Sequence, residues 1–411
     1  MNVLYITYDG LLDPLGSSQI LPYIKGISKH QDSVIVLSFE KPERMLRGQQ
    51  SMLSDIMHYG IHWMPLRFTK GFGLAGKLWD LSRMYFWSFY LAYKYSIRIV
   101  HARSHSPAQV GLFLKRVLKK KLIFDFRGLW VDERIDKGGW DLSNFFDRLQ
   151  YKYFKRVEKK LLAQADQIVV LTNKVVSEVV RLGAKPSSKI TVIPCCADFN
   201  HFLLSTNTHK SKARTLTGIP DDAFVLGHLG SVGSMYMLDR FFHLYELVTN
   251  VRDDCHLLII TQDISALEGL MKRYLKPHLY SRVHIKSASR DEVPTLLSAI
   301  DVMVSFILPS YARIAASPTK MAECFATGAP VIANPGVGDV ASIINELDGG
   351  RVANPFSDID LKKVVQELDE ICLKGGQHLR DAAHSKLGLE IAEKCYQSVY
   401  GEITKTMIVR E

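Results

Sequence analysis

The chain lacks any long apolar run of the kind that crosses a membrane. None of its 411 residues begins a stretch of about 18 uninterrupted apolar residues, and the nearest candidate, residues 84–100, contains Lys94 and Arg98. The N-terminus has no basic segment, and Asp9 interrupts its first apolar stretch, which is not typical of a secretory signal. We therefore expect a cytoplasmic protein, at most peripheral on the inner face of the cell membrane.

Cysteine is sparse as well. The six cysteines form no C-x-x-C pair and show no metal-ligand spacing, and the chain has neither low-complexity tracts nor internal repeats. These absences predict a reduced, folded protein with no metal site. Because a single core rarely grows beyond about 250–300 residues, a chain of 411 residues is expected to form two domains with a cleft between them.

Acidic residues are too few in the first half to balance the basic ones. Residues 1–200 contain 30 Lys and Arg against 17 Asp and Glu, whereas residues 201–411 contain 22 against 25. The basic clusters at 115–121 and 152–160 have three alternative interpretations: solvated helix faces, a surface for anionic lipid, or a surface for nucleic acid. Aromatic residues at 84–95 favour lipid among the two functional alternatives, and we expect no nucleic-acid partner.

Short runs rich in Val and Ile alternate with segments of helical period, which is typical of an α/β protein with parallel sheets. The predicted strands are 3–7, 33–39, 62–68, 98–103, 121–127, 167–172, one within 189–202, and then 224–230, 256–261, 282–287, 301–306 and 330–335. The main predicted helices are 18–29, 79–95, 107–118 and 144–164. This order predicts two tandem doubly wound, Rossmann-like domains.

The domain boundaries follow from where this alternation pauses. We predict an N-terminal Rossmann-like domain at 1–203, a polar linker at 204–222, a C-terminal Rossmann-like domain at 223–385, and a C-terminal helix at 386–411 that packs back on the N-terminal domain. Ligands of such sheets bind beyond the carboxyl ends of the strands, so the loops there are the first candidates for a site.

Two glycine-containing loops follow predicted strands. Gly16 and Ser17, at a helix start, are either an anion seat or part of an ordinary N-cap. Gly227, Gly230 and Gly233 have the spacing G-x-x-G-x-x-G, which departs from the dinucleotide fingerprint. A nicotinamide enzyme is therefore not expected.

Charged residues occupy alternate positions at the ends of two neighbouring predicted strands. His101 and Arg103 alternate in one, and Asp125 and Arg127 alternate in the next. Residues two apart on a strand share a face, and charges there are costly unless they are paired or line a polar cleft. The alternatives are a structural ion pair between Asp125 and Arg127 and a functional cleft, of which we favour the cleft.

The segment 317–332 begins with a turn suited to an anion. Ser317 fits an N-cap, Pro318 fits the first helical position, and Lys320 adds a cation at the positive end of the helix dipole. Glu323 follows one turn later on the same face, where it is placed to accept the hydroxyls of a ribose. The alternative is a surface ion pair between Lys320 and Glu323.

Together these segments resemble glycosyltransferase family 4, the group 1 transferases with the GT-B fold. The resemblance rests above all on PTKMAECFATGAPVIANPGVGDV, and is supported by the Gly16 loop, HARSHSP, DFRGLW, VIPCCADFNHF and LGSVGSMY. It implies two Rossmann-like domains around an interdomain cleft, with the nucleotide sugar on the C-terminal domain and the acceptor on the N-terminal one.

Carried over by position, the resemblance gives Glu323 the role of ribose recognition. Ala315 stands where the other acid of the family signature falls, while Ser231 and Met237 stand where an Arg and a Lys usually grip the donor phosphates. Arg127 stands where many members have a catalytic His. The resemblance therefore implies a variant phosphate site, whose positive charge comes from other Arg and Lys residues.

The implied activity is retaining, metal-independent transfer from a UDP- or GDP-sugar to a glycan or lipid-linked acceptor, in polysaccharide or O-antigen assembly, with no cofactor. Cations would stabilise the leaving diphosphate in a front-face displacement. The expected catalytic residues are Arg127, Arg103, His101 and Asp125. The expected donor-binding residues are Gly16, Ser17, Gly230, Ser231, Ser287, Arg313, Ser317, Thr319, Lys320 and Glu323. The alternatives are a catalytically silent nucleotide- or glycan-binding subunit and a nucleotide-sugar 2-epimerase.

Overall fold

The computed structural model of the protein describes residues 1–184 and 189–408. Two compact units divide the chain, and each contains its own parallel sheet. The first unit comprises residues 1–194 together with the helix that begins at Leu389, and the second comprises Cys195–Gly388. Both sheets are wrapped by helices, as the alternating sequence pattern predicts.

The first unit has seven parallel strands in the order β3-β2-β1-β4-β5-β6-β7. The strands are β1 Asn2–Thr7, β2 Ser33–Glu40, β3 Ile61–Arg67, β4 Ile99–Arg103, β5 Lys121–Asp125, β6 Gln167–Val170 and β7 Ile190–Val192. The central strands are buried on both faces, which explains their continuous apolar sequences. The strand order reverses between β1 and β4, so the loops that follow these two strands meet at one point of the sheet.

Eight helices of the first unit precede the second unit. They are α1 Pro14–Gln19, α2 Leu21–Ser28, α3 Pro42–Met57, α4 Gly73–Lys94, α5 His105–Leu118, α6 Trp130–Asp136, α7 Phe145–Gln164 and α8 Val176–Arg181. The α7 helix begins where the Asn144 side chain accepts hydrogen bonds from the backbone N–H groups of Phe146 and Asp147. The α4 helix begins six residues before the predicted start at residue 79.

The second unit has six parallel strands in the order β10-β9-β8-β11-β12-β13. They are β8 Phe224–Leu229, β9 Cys255–Ile260, β10 Val283–Lys286, β11 Val302–Ser305, β12 Val331–Ala333 and β13 Gly350–Val352. The helices are α9 Asn207–Thr217, α10 Leu238–Thr249, α11 Ile264–Tyr274, α12 Val293–Leu297, α13 Thr319–Thr327, α14 Val340–Glu346, α15 Asp358–Gln366, α16 Leu368–Leu373 and α17 Gln377–Leu387, with 3₁₀ helices at Pro277–Arg282 and Tyr311–Ala315. The edge strand β13 was not among the predicted strands, since its sequence Gly-Arg-Val contains no apolar run.

The segment predicted as a linker, 204–222, contains the helix α9 and lies inside the second unit. Its Arg214 is only 3% exposed and donates to the carboxylate of Asp301. The same carboxylate accepts from Lys210 and from the backbone N–H of Val225 at the start of β8. The polar composition of this segment therefore reflects a charged anchor between α9 and the sheet.

The last helix, α18 Leu389–Ile408, packs against α2 of the first unit. Gly26 of α2 permits this close approach, because a Cβ atom there would overlap the side chain of Glu393. Glu393 in turn forms an ion pair with Lys29 at 3.0 Å. The helix also carries Tyr400, whose hydroxyl lies in the interior of the first unit.

We expect Asp301→Ala to lower the free energy of unfolding by about 3–5 kcal/mol, since it leaves the buried guanidinium of Arg214 without its carboxylate. Chemical denaturation followed by circular dichroism measures the loss. The matched control is Asp369→Ala, whose carboxylate pairs with Arg252 but is 88% exposed. This control is expected to cost less than about 1 kcal/mol. Equal losses in the two variants would contradict the anchor.

Candidate functional site

A cluster of charged side chains lies at the carboxyl ends of β4 and β5 in the first unit. Arg103 ends β4, Asp125 ends β5, and the two residues are direct neighbours in register. One Asp125 oxygen lies 3.5 Å from Nη1 of Arg103, and the other lies 3.5 Å from Nη1 of Arg127. The Nε2 atom of His101 lies 3.7 Å from the Asp125 carboxylate. The structure thus brings all four predicted catalytic residues together.

Burial decides what each of these four side chains does. Asp125 is completely buried; burial by itself raises the pKa of its carboxyl, but Arg127, His101 and Arg103 lower the pKa more, so it stays well below its usual range. Burial also lowers the pKa of His101, whose Nδ1 lies 2.7 Å from the hydroxyl of Tyr400. Both side chains are fully buried, and the Asp125 carboxylate lies against the guanidinium groups of Arg103 and Arg127, which it holds in place.

The loop after β1 is held by an acid that the sequence motifs did not reveal. Glu40, at the end of β2, is fully buried and accepts hydrogen bonds from the backbone N–H groups of Leu11 and Leu12. Burial raises the pKa of its carboxyl, against the effect of these hydrogen bonds. Asp9 in the same loop lies 3.8 Å from Nε of Arg103, so Glu40 fixes the loop that approaches the charged cluster.

Gly16 and Ser17 do not have the arrangement that the anion-seat interpretation requires. The α1 helix begins at Pro14, before both residues, and the backbone N–H of Ser17 already donates to the carbonyl of Asp13. Gly16 is buried where a Cβ atom would overlap the carbonyl of Gly10. Its role in the structure is close backbone packing of the loop.

In the second unit, Lys320 points its ammonium group at the loop that follows β8. The Nζ atom is buried, has no hydrogen-bond partner among the described residues, and lies 4.0 Å from the centre of the Tyr236 ring. Gly230 is needed there, because a Cβ atom would overlap the ammonium group and the backbone φ is +113°. The unpaired ammonium is therefore available to an anion.

Glu323 follows Lys320 by one turn of α13, with its side chain partly buried. Among the described residues, none forms a hydrogen bond or ion pair with its carboxylate, so the Lys320–Glu323 ion pair considered as an alternative is not formed. Burial raises the pKa of Glu323, whereas Arg290 and Lys320 act to lower it. Within the described residues, Lys320 and Glu323 thus interact electrostatically but both lack a hydrogen-bond partner, an arrangement suited to a ligand that carries both a donor group and an anion.

Two further predicted donor residues, Arg313 and Ser317, lie in the segment just before α13. Arg313 is 6% exposed and points its Nη2 atom at the sulfur of Met235, in the same loop as Gly230. Ser317 differs from its predicted N-cap role, since α13 begins at Thr319, its N-cap is Pro318, and the Ser317 hydroxyl accepts from the backbone N–H of Cys195.

His228, at the end of β8, is a residue of this region that motif spacing did not identify. Burial, together with the charge of Lys320, lowers the pKa of His228 to about 3, so the ring is neutral. Its Nε2 donates to the carbonyl of Ser231 and holds the loop in place. Ser287 is exposed in the loop after β10, where its hydroxyl donates to Gln262, and it takes no part in the contacts of Lys320 and His228.

The described residues contain neither a metal-binding cluster nor a membrane-spanning helix. Between residues 1 and 184 and between 189 and 408, no three His, Cys, Asp or Glu side chains are grouped so as to hold a metal ion. In the same parts of the chain, every helix is too short or too polar to span a bilayer.

Two family models match this chain. The model described as Glycosyltransferase Family 4 matches residues 23–201, and the model described as Glycosyl transferases group 1 matches residues 225–370. The two matches together include HARSHSP, DFRGLW and PTKMAECF, the segments on which the sequence resemblance rests. Among curated proteins, no sequence matches the chain.

Several solved structures are similar to the chain over nearly its whole length. HepE from Anabaena, in complex with UDP and glucose, is 16% identical, covers 98% of this chain and 100% of its own, and gives a TM-score of 0.71. Sucrose-phosphate synthase from Thermosynechococcus elongatus is 15% identical, with coverages of 98% and 99% and a TM-score of 0.72. WaaG, a glycosyltransferase involved in lipopolysaccharide biosynthesis, is 16% identical, with coverages of 97% and 100% and a TM-score of 0.65. The predicted fold class, GT-B with two Rossmann-like domains, is confirmed.

We expect Asp125→Asn to destabilise the protein at neutral pH, because Arg103 and Arg127 then lose their buried counter-charge. Since the folded-state pKa of Asp125 lies below its unfolded value, its stabilising contribution is complete above pH ~4 and is lost as the pH falls through the folded-state pKa. The difference between wild type and variant should therefore shrink only in acid. Urea unfolding across a pH series measures it, and a difference that shrinks instead between pH 6 and 8 would argue against this charge assignment.

Proposed function

The chain belongs to glycosyltransferase family 4, the group 1 glycosyltransferases, and on that premise we propose that it is a retaining, metal-independent enzyme with a nucleotide-sugar donor. The observation that carries the proposal is the pair of unpartnered side chains on α13. Among the described residues, the buried ammonium of Lys320 has no hydrogen-bond acceptor and the carboxylate of Glu323 has no hydrogen-bond donor, although the two charges interact electrostatically. A nucleoside diphosphate supplies both missing groups, because its phosphates are anionic and its ribose hydroxyls donate hydrogen bonds.

The positive charge for the diphosphate comes from residues other than the Arg and Lys usual in the family. Ser231 and Met237 occupy those positions, and Met237 is buried in the core. Arg313 and Lys320 instead contact the loop after β8, Arg313 at the sulfur of Met235 and Lys320 at the ring of Tyr236. We infer that these two cations stabilise the departing diphosphate while the C1–O bond loosens, which is the main catalytic task in front-face displacement.

The donor is a UDP- or GDP-sugar in this proposal, and UDP is the better supported of the two. HepE, which shares the fold, was solved with UDP and with UDP-glucose. No cofactor takes part. The exposed Ser287 and its neighbour Gln262 line the loop after β10, where the family resemblance places the nucleotide base.

The first unit takes the acceptor, with Arg103 and Arg127 as the groups that contact it or the reacting phosphate. Their guanidinium groups are fixed by Asp125, which removes the need to order them during the reaction. We propose a glycan or lipid-linked acceptor at the inner face of the cell membrane, in cell-surface polysaccharide or O-antigen assembly. The basic charge of the first 200 residues supports an acceptor of this location.

A second candidate, a catalytically silent nucleotide- or glycan-binding subunit, is favoured by one observation. Ala315, at the position of the family's first signature acid, is 1% exposed and offers no polar group to a sugar. Slow hydrolysis of the donor separates the two candidates, because only an enzyme turns over a nucleotide sugar in the absence of acceptor.

We expect Glu323→Ala and Lys320→Met each to weaken UDP binding ~10- to 100-fold, since each removes a charge-assisted contact worth about 1.5–3 kcal/mol. Isothermal titration calorimetry measures the affinity. Matched controls are Glu268→Ala and Lys272→Met, exposed positions on α11 where no change is expected. UDP affinity that is unchanged in both α13 variants would refute the assignment of the nucleotide to this turn.

We also expect the wild-type protein to hydrolyse one member of a panel of UDP- and GDP-sugars slowly and to release the sugar with the anomeric configuration of the donor. Proton NMR during the first minutes of the reaction, before mutarotation, reports the anomer. Release of the opposite anomer would exclude a retaining mechanism. Turnover of no donor, combined with tight UDP binding, would favour the silent subunit.

A further inference from the structure

The α4 helix of the first unit is apolar on the side that faces water. Its exposed side chains include Leu74, Leu78, Trp79, Phe86, Tyr90 and Tyr93, which are between 43% and 80% exposed. Several lie four residues apart, so they form one stripe along a helix of about 33 Å. The opposite side buries Asp80 and Ser88 completely. Because the same side also buries Met84, Leu91 and Ala92 in the core, α4 is apolar on both sides instead of presenting the mainly polar outer face of an ordinary surface helix.

Two neighbouring helices extend this stripe. Phe113 of α5 packs its ring 5.3 Å from Tyr85 and 6.3 Å from Phe89, and an open apolar depression of about 490 Å³ lies between the two helices. The α7 helix lies against the other side of α5. It exposes Phe145, Phe146, Leu149 and Tyr153. We call the exposed apolar side chains of α4, α5 and α7 the aromatic face.

The ionisable side chains around the aromatic face carry one sign of charge. On α7, Arg148, Lys152 and Arg156 form a row at four-residue spacing directly beside the row of Phe145, Leu149 and Tyr153. Lys77 and Lys94 on α4 and Arg116 on α5 are exposed as well. The acids of these three helices are Asp80 and Glu158, which are fully buried, and Asp147, which is half-buried and accepts from the backbone N–H of Asp141.

From this arrangement we propose that the aromatic face docks on an anionic lipid bilayer. Trp and Tyr side chains suit the boundary between acyl chains and headgroups, and a row of basic side chains beside them meets the lipid phosphates. A second copy of the chain is a poorer occupant, because it would bring a second set of the same exposed cations to the contact, and the three helices offer no fully exposed acid to pair with them. Exposed apolar patches of this extent mark an interaction surface rather than ordinary solvent-exposed surface.

The aromatic face borders a cavity. This cavity gives membrane docking a role in the reaction, an argument that rests on the proposed function. The cavity has a volume of about 430 Å³ and is lined by Leu74 and Leu78 of α4, Tyr153 of α7, Trp130, and Arg103. Side chains at the border of the aromatic face thus also border the cavity that reaches the charged cluster. A lipid-linked acceptor held in the bilayer would present its polar end to Arg103 without leaving the membrane.

Vesicle sedimentation tests the docking directly. The wild-type protein should sediment with vesicles of phosphatidylglycerol and phosphatidylcholine, less with phosphatidylcholine alone, and less as salt is raised. Two triple variants should each lower the partition coefficient at least ~10-fold. One is Trp79→Ser/Phe86→Ser/Tyr93→Ser. The other is Arg148→Glu/Lys152→Glu/Arg156→Glu, since each basic residue contributes about 1 kcal/mol near an anionic surface. The matched control, Phe356→Ser/Leu373→Ser, changes exposed apolar residues of the second unit and should bind as wild type does.

Absence of wild-type binding to the anionic vesicles, or an equal loss in the control, would overturn the docking proposal. A concentration-dependent dimer that the aromatic triple variant disperses would also overturn it, because the second copy would then be the occupant. UDP affinity in solution is measured for every variant and should not change. A protein that binds vesicles but not UDP contradicts the proposed function alone, whereas one that binds UDP but not vesicles contradicts the docking alone.

Discussion

The buried ammonium of Lys320 is the constraint around which the second unit's candidate site is arranged. A charge removed from water is costly unless it is paired, and among the described residues this ammonium has no hydrogen-bond acceptor. It lies over the ring of Tyr236, a contact worth about 0.5–2 kcal/mol, and interacts electrostatically with Glu323. Gly230 leaves the space that the ammonium group occupies, and the neutral ring of His228 avoids adding a second positive charge. A bound anion would therefore stabilise the ammonium group, which suits a site that must bind and release an anion.

In the first unit, by contrast, the buried charges are paired with one another. Asp125 is matched by Arg103 and Arg127 inside the protein, with His101 and Tyr400 completing the network. Such a cluster is rigid rather than receptive, and its function is to hold guanidinium groups in place. This contrast supports an assignment of roles. The second unit, with the ammonium of Lys320, binds the charged donor, and the first unit, whose Arg103 and Arg127 pair with Asp125, orients the acceptor.

Much of the fold could be predicted from the sequence because parallel strands buried on both faces produce continuous apolar runs that differ from helical periodicity. The same reasoning placed Lys320 and Glu323 on one face of a helix, as the structure has them. It failed where polar residues are used for long-range contacts. The charged anchor of Arg214 on Asp301 looked like a linker, and Glu40 looked like an ordinary strand end, because their partners lie 87 and about 29 residues away. Local sequence patterns do not reveal such long-range contacts.

The position of α18 has a consequence for how the protein is made. The first unit is completed by the last helix of the chain, whose Tyr400 closes over His101 and whose Glu393 fits against Gly26. At a synthesis rate of about 5–20 residues per second, the roughly 190 intervening residues take on the order of 10–40 s to emerge. During that interval the first unit lacks α18 and His101 lacks the hydroxyl of Tyr400, so the complete first unit forms only after the second unit has been synthesised.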